Sequence, residues 1–151
     1  MRKGLSIIVV IALIMGSFSM AFAAVPTDVA GTDYEESVSV LMGLGVINGY
    51  EDGTYKPERV VSRAEMAKLI IVALGLENSA GAVTSRFPDM AGATWAQGFV
   101  ALASDLGIVI GYPDGTFKPS STVTYNEAVT MILRGLGYTD ASRGGVWPSN
   151  Y

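Results

Sequence analysis

The sequence predicts an all-α protein of repeated helix-loop-helix units, and three observations carry that reading. The stretch Gly49-Tyr50-Glu51-Asp52-Gly53-Thr54-Tyr55-Lys56-Pro57 returns 62 positions later as Gly111-Tyr112-Pro113-Asp114-Gly115-Thr116-Phe117-Lys118-Pro119. Each copy is followed by a capping-box pattern, Ser62-Arg63-Ala64-Glu65 and Thr124-Tyr125-Asn126-Glu127, opening an apolar run of helical period. Each run closes on a glycine, Gly75 or Gly137. A period this long exceeds the usual solenoid range, so each unit has room for a helix, a loop and a second helix.

Taken in order, residues 1–23 read as a signal peptide. Arg2 and Lys3 form a positive start, Leu5 to Met20 an apolar run, and Ala21-Phe22-Ala23 a small-x-small site with cleavage after Ala23. The competing reading is an uncleaved anchor from Ile7 to Val25, which Ser17 and Ser19 dilute. Residues 24–76 form repeat 1, 77–85 a small, polar surface connector, and 86–138 repeat 2. In the tail, 139–151, Trp147 stands where a third unit would begin. The repeats open on Val25-Pro26-Thr27-Asp28-Val29 and Arg86-Phe87-Pro88-Asp89-Met90, extended segments ending in a turn-forming Asp.

The first helix of repeat 1 is predicted to be capped by Thr32 or Asp33, to bury Tyr34, Val38 and Leu41, and to end at Gly45. Its partner starts near Thr94 and Trp95, buries Phe99, Leu102, Ala103 and Leu106, and stops at Gly107. Tyr34 and Trp95 correspond at an offset of 61, which predicts a first helix one residue shorter in repeat 1. The second helices are expected to bury Met66, Leu69, Ile70, Ala73 and Leu74 in one copy and Ala128, Met131, Ile132, Gly135 and Leu136 in the other, with Val61 and Met66 as a hydrophobic staple.

Composition narrows the chemistry. The chain has no cysteine and no histidine, so Ser-His-Asp, Cys-His and His-based zinc sites are excluded, and stability has to come from packing. The net charge is −4, and loss of Arg2 and Lys3 makes it more acidic, which argues against nucleic acid and against anionic membranes as partners. Asp52-Gly53 and Asp114-Gly115 do not make a calcium loop: with Gly53 at loop position 6, Tyr50 and Arg59 fall where oxygen ligands are required. They are turn residues, with Gly53 and Gly115 accepting positive φ and Pro57 and Pro119 ending the segment. Gly43-Leu44-Gly45 fails as a dinucleotide fingerprint, since Asn48 stands where the next glycine is needed. Glu65 and Glu127, the best carboxylate pair for an enzyme, are accounted for as capping-box members. No cofactor, metal or catalytic residue is expected.

The Gly-Tyr-x-Asp-Gly-Thr-aromatic-Lys-Pro loop, the Ser-Arg-Ala-Glu box, the aromatic before helix one and the Asp-containing opening together resemble the S-layer homology (SLH) domain, over Val25 to about Tyr138. The resemblance implies a non-catalytic module that fastens exported proteins to the bacterial envelope. Members bind secondary cell-wall polysaccharide, often with pyruvylated amino sugars, and three repeats usually assemble a pseudo-threefold helical spindle with grooves between the units. It also implies that Arg63 occupies the family's basic groove position and Trp95 and Tyr34 its aromatic one. Tyr125 departs from the pattern where an Arg is expected. A guanidinium at a helix N-terminus suits a pyruvate carboxylate, Trp95 suits a sugar face, and Lys56 and Lys118 are further candidates for an anionic glycan. The alternative expectation is self-association with SLH-like units of other chains.

Overall fold

A computed structural model describes residues 24–81 and 83–138. The expected signal segment, 1–23, and the tail with Trp147 lie outside the described residues. The elements are α1 (Glu35–Gly43), α2 (Arg63–Ala73), α3 (Glu77–Ala80), a 3-10 segment (Met90–Ala96), α4 (Gln97–Asp105) and α5 (Tyr125–Gly135). Among the described residues there is no strand, only one isolated antiparallel bridge between Ser62 and Thr122. Among the described residues no helix is long and apolar enough to cross a membrane.

Helix α2 is the centre of the fold, packing on α3, the 3-10 segment, α4 and α5. Its Ala64, Ala67, Ile70 and Ile71 join Phe87, Val100, Ala103, Ile108 and Phe117 in one core. A smaller cluster, Val29, Val38 and Ile47 with Tyr55 and Leu69 against it, holds α1. Both second helices start on a complete capping box: Ser62 accepts from the Glu65 amide and Thr124 from the Glu127 amide, and each glutamate reaches back to its cap residue. That satisfies orphan amides reciprocally, as the two motifs predict.

The predicted stripes shift by about one position. On α2 the buried residues are Arg63, Ala64, Ala67, Ile70 and Ile71, while Ala73 and Leu74 are exposed. On α5 they are Glu127, Thr130 and Met131, and Ile132 and Leu136 face outward. The cause is tertiary: α2 is apolar on most sides, so the neighbouring repeat decides which side is covered. On α1 only Val38 is buried, with Tyr34 and Leu41 exposed. α4 buries Val100, Ala101 and Ala103 and exposes Leu106. Neither Thr32 nor Asp33 caps α1; its cap residue is Tyr34, with no side-chain cap bond. α1 and α4 are equally long, 9 residues each. The extra residue of repeat 2 lies ahead of α4, in the 3-10 segment.

The connector also differs from expectation, since it forms α3 and buries Ala80. Its approach to α4 is so close that a Cβ at Gly98 would lie 1.6 Å from the Ala80 carbonyl oxygen. Repeat 1 has Glu36 at the matching place on α1, where no short helix crosses.

The repeated loop is a turn in both copies. Gly53 and Gly115 have φ of 77° and 80°. Asp52 and Asp114 accept from the amide and hydroxyl of Thr54 and Thr116. The Thr54 hydroxyl, then Lys56, hold the Asp52 carboxyl down at about 2. Less expected are the left-handed lysines, Lys56 at φ 62° and Lys118 at φ 57°. A non-glycine residue stays there only when its surroundings hold it. The holder is the opening Asp: Asp28 accepts the amides of Tyr55 and Lys56 at 2.8 and 2.7 Å, and Asp89 those of Phe117 and Lys118 at 3.0 and 2.7 Å. Burial by itself would raise both carboxyls, but these amide bonds outweigh it and lower them.

Candidate functional site

Arg63 is buried, only 6% exposed. As the first residue of α2 it enters repeat 2, where its Nε donates to the Phe117 carbonyl at 2.9 Å and its Nη1 to Glu127 Oε1 at 2.6 Å. Its guanidinium lies over the rings of Tyr112 and Phe117, at 4.6 and 4.9 Å from their centroids. Glu127 also accepts from the Tyr112 hydroxyl at 2.6 Å. Burial would push the Glu127 carboxyl up, but the Tyr112 and Thr124 bonds and the Arg63 charge hold it below its ordinary value. Burial, then the bond to Glu127, raises Tyr112. Backbone bonds flank the pair: Arg63 N to Ser121 O at 2.9 Å, Ala64 N to Pro119 O at 3.0 Å and Val123 N to Val61 O at 2.9 Å. The expected groove arginine is therefore the pin between the repeats, and little more than a 20 Å³ crevice remains beside it.

The equivalent place in repeat 1 is open. A groove of about 460 Å³ runs over Val46, Ile47, Leu69 and Val72, bordered by Tyr50, Tyr55, Lys56, Arg59, Glu65 and Lys68, with Trp95 and Glu77 on its far rim. Here Glu65 stands where Glu127 does in repeat 2, and Arg59 of the same repeat takes the role of the incoming Arg63, its Nη2 2.6 Å from Glu65 Oε1. Repeat 2 has Ser121 at that position. Trp95 is 53% exposed and also borders two neighbouring grooves of about 330 and 390 Å³.

Of the five residues expected to bind glycan, Trp95 and Lys56 line this groove, and Arg63, Tyr34 and Lys118 do not. Lys56 is not free: its Nζ is 3.0 Å from Asp52 and 4.1 Å from the Tyr50 ring centre. Lys118 repeats that arrangement with Asp114 and Tyr112. Tyr34 is half exposed at the start of α1. The groove residues the sequence reading missed are Arg59, Lys68, Tyr50 and Tyr55. Arg59 left a trace in the sequence, as a cation in repeat 1 where repeat 2 has serine.

Comparison with known proteins follows the same division into units. The profile of the S-layer homology domain matches residues 27–67 and 86–129, the two repeats in register with their loops and capping boxes. The chain belongs to the S-layer homology domain family. The chain is 41% identical over 155 residues to a surface layer protein of Brevibacillus choshinensis, a match covering 99% of this chain and 14% of the relative. A middle cell wall protein of Brevibacillus brevis is 41% identical over 157 residues, 99% of this chain and 15% of that protein. A cellulosome-anchoring protein of Acetivibrio thermocellus is 37% identical over 94 residues, 60% of this chain and 21% of its own length. The chain thus spans about a seventh of its first two relatives. Membership puts this SLH chain at the bacterial cell surface, in the cell wall or surface layer.

Proposed function

We propose that the chain is a non-catalytic anchoring module that binds an anionic, pyruvyl-bearing secondary cell-wall polysaccharide in the repeat-1 groove. The observation that carries this reading is the lining of the groove, where Trp95, Tyr50 and Tyr55 offer apolar faces to sugar rings beside Lys56, Arg59 and Lys68. Arg59 spends one nitrogen on Glu65 and keeps further N–H donors for a pyruvyl carboxylate, which a planar guanidinium holds through paired charge-assisted bonds. Trp95 and Lys56 keep the roles the motif suggests. Arg63 acts at one remove, fixing repeat 2 and with it the Trp95 rim against repeat 1. Support also comes from relatives named for the surface layer, the cell wall and cellulosome anchoring. The carboxylates Glu65 and Glu127 are committed to their caps and arginines, which leaves neither as a hydrolytic acid.

The test is co-sedimentation with purified wall sacculi before and after chemical removal of the polysaccharide. Binding is expected only to the untreated sacculi, and Trp95→Ala is expected to weaken it with no change in melting temperature. Equal binding to stripped sacculi would overturn the proposed ligand. Release of reducing ends from the polysaccharide would overturn the non-catalytic reading.

A further inference from the structure

The contact between repeats 1 and 2 has two halves, and the chain carries a second version of each that no described residue covers. The donating half is the start and outer face of α2. The receiving half is the loop, box and groove of repeat 2. In α5 the donating half is bare. Tyr125, the counterpart of Arg63, is 82% exposed, and Ile132 is 44% exposed where Ile70 is 7%. Among the described residues no backbone carbonyl takes the amides of Tyr125 and Asn126, whose counterparts bond Ser121 and Pro119 across the repeat contact. In repeat 1 the receiving half is bare as well: it is the open groove at Tyr50, Tyr55 and Glu65.

The two bare halves differ from the joined ones by a compensating exchange of charge. In the joined contact the entering residue is Arg63, and the receiver has Ser121 and a Glu127 that relies on that arginine. In the bare pair the entering residue is Tyr125, and the receiver supplies its own arginine, Arg59, to Glu65 at 2.6 Å. A second arginine entering that groove would meet a like charge, whereas a tyrosine ring stacks on the guanidinium. Each receiver is thus matched to one entering residue, Glu127 with Ser121 to Arg63, and Glu65 with Arg59 to Tyr125.

We propose that copies of this chain join head to tail, the start of α5 of one copy entering the repeat-1 groove of the next with Tyr125 stacked on Arg59. The backbone bonds of the internal contact then recur between copies, Tyr125 and Asn126 donating to the carbonyls of Arg59 and Pro57. Such a contact is heterologous, so each added copy leaves one donating and one receiving half free unless a ring closes. A second copy and the polysaccharide would compete for this one groove and for Arg59, so association is tested without glycan.

Sedimentation velocity of the chain over a concentration series is expected to show the mass rising from monomer through successive multiples. Tyr125→Glu alters an exposed side chain, so its circular dichroism and melting temperature should stay at wild-type values. Arg59→Glu also takes the cation from Glu65, so a lower melting temperature is expected with the helical circular dichroism retained, and each variant alone should remain monomeric. Mixed together they are expected to form a dimer and nothing larger, because one retains a sound groove and the other a sound α5. A wild-type chain that is monomeric at every concentration overturns the proposal, as it would if another occupant, such as a further repeat, owned the groove. So do variants that associate like wild type, and a mixture that fails to pair.

Discussion

Repeats 1 and 2 carry the same loop, the same capping box and the same Asp-held lysine, yet equivalent side chains in them meet opposite environments. Arg63 is sealed between the units while Tyr125 stands in solvent; Phe117 is fully buried while Tyr55 lines an open groove. What matches is each unit's internal wiring, the box and the Asp-to-amide bonds, which needs no neighbour. What differs is everything the adjacent unit decides. An SLH repeat is thus a unit of local geometry, and its core is shared property: α2 belongs to repeat 1 in sequence and largely to repeat 2 in packing.

Breaking the pin between the repeats should have the largest effect. Arg63→Ala leaves the Glu127 carboxylate buried without its cation and is expected to cost about 3–5 kcal/mol, read as a drop in the urea midpoint. The sequence motif alone would have favoured loss of binding with the fold intact. Gly98→Ala comes next, at roughly 3 kcal/mol, since its methyl group meets the Ala80 backbone and cannot be accommodated by a side-chain rotation. Asp89→Ala strands the amides of Phe117 and Lys118 and should cost about 1–2 kcal/mol; Asp28→Ala, on the exposed copy of the clamp, should lower the thermal midpoint less.

Acid gives a graded version of the same comparison. The Glu127 carboxyl lies below its ordinary 4.5 in the fold, so its contribution is complete above that value and is lost as pH falls through the lower, folded range. Stability followed from neutral to acid pH should therefore decline below about 4.5, and Glu127→Gln should flatten that decline. The smallest effect is expected from Tyr125→Ala, within about 0.5 kcal/mol, despite its standing at the position of Arg63. If Tyr125→Ala in the monomer matched Arg63→Ala, the contrast between the repeats would fail.

Much of the fold was legible because its signals are local. The loop turns, both capping boxes and the all-α class follow from residues within a few positions of one another, and the structure reproduces them. Ile70 and Met131 are buried as expected, but the rest of each stripe was misread by a position; on α2, which is apolar nearly all round, only the neighbouring repeat picks the side. The left-handed lysines could not be read from the loop, since the carboxylates that hold them lie 28 and 29 positions earlier. Of the residues expected to bind, Trp95 from the motif and Lys56 from its place in the loop both line the repeat-1 groove. Arg63 was expected to face the ligand, but it is buried through partners the motif does not show, Phe117 and Glu127, 54 and 64 positions on. Arg59 was overlooked although the two copies differ there, because a repeat reading attends to what recurs.

The reach of Arg63 has a consequence for how the chain comes to be folded. Synthesis proceeds from the N-terminus, and domains generally organise in that order. Repeat 1 is complete as sequence by Leu76, yet the acceptors of its arginine arrive only with Phe117 and Glu127. Until then the guanidinium remains hydrated and the apolar flank of α2 has nothing to lie against. The first repeat therefore waits for the second, and a chain interrupted between them would present to its surroundings the very surface that the finished protein hides.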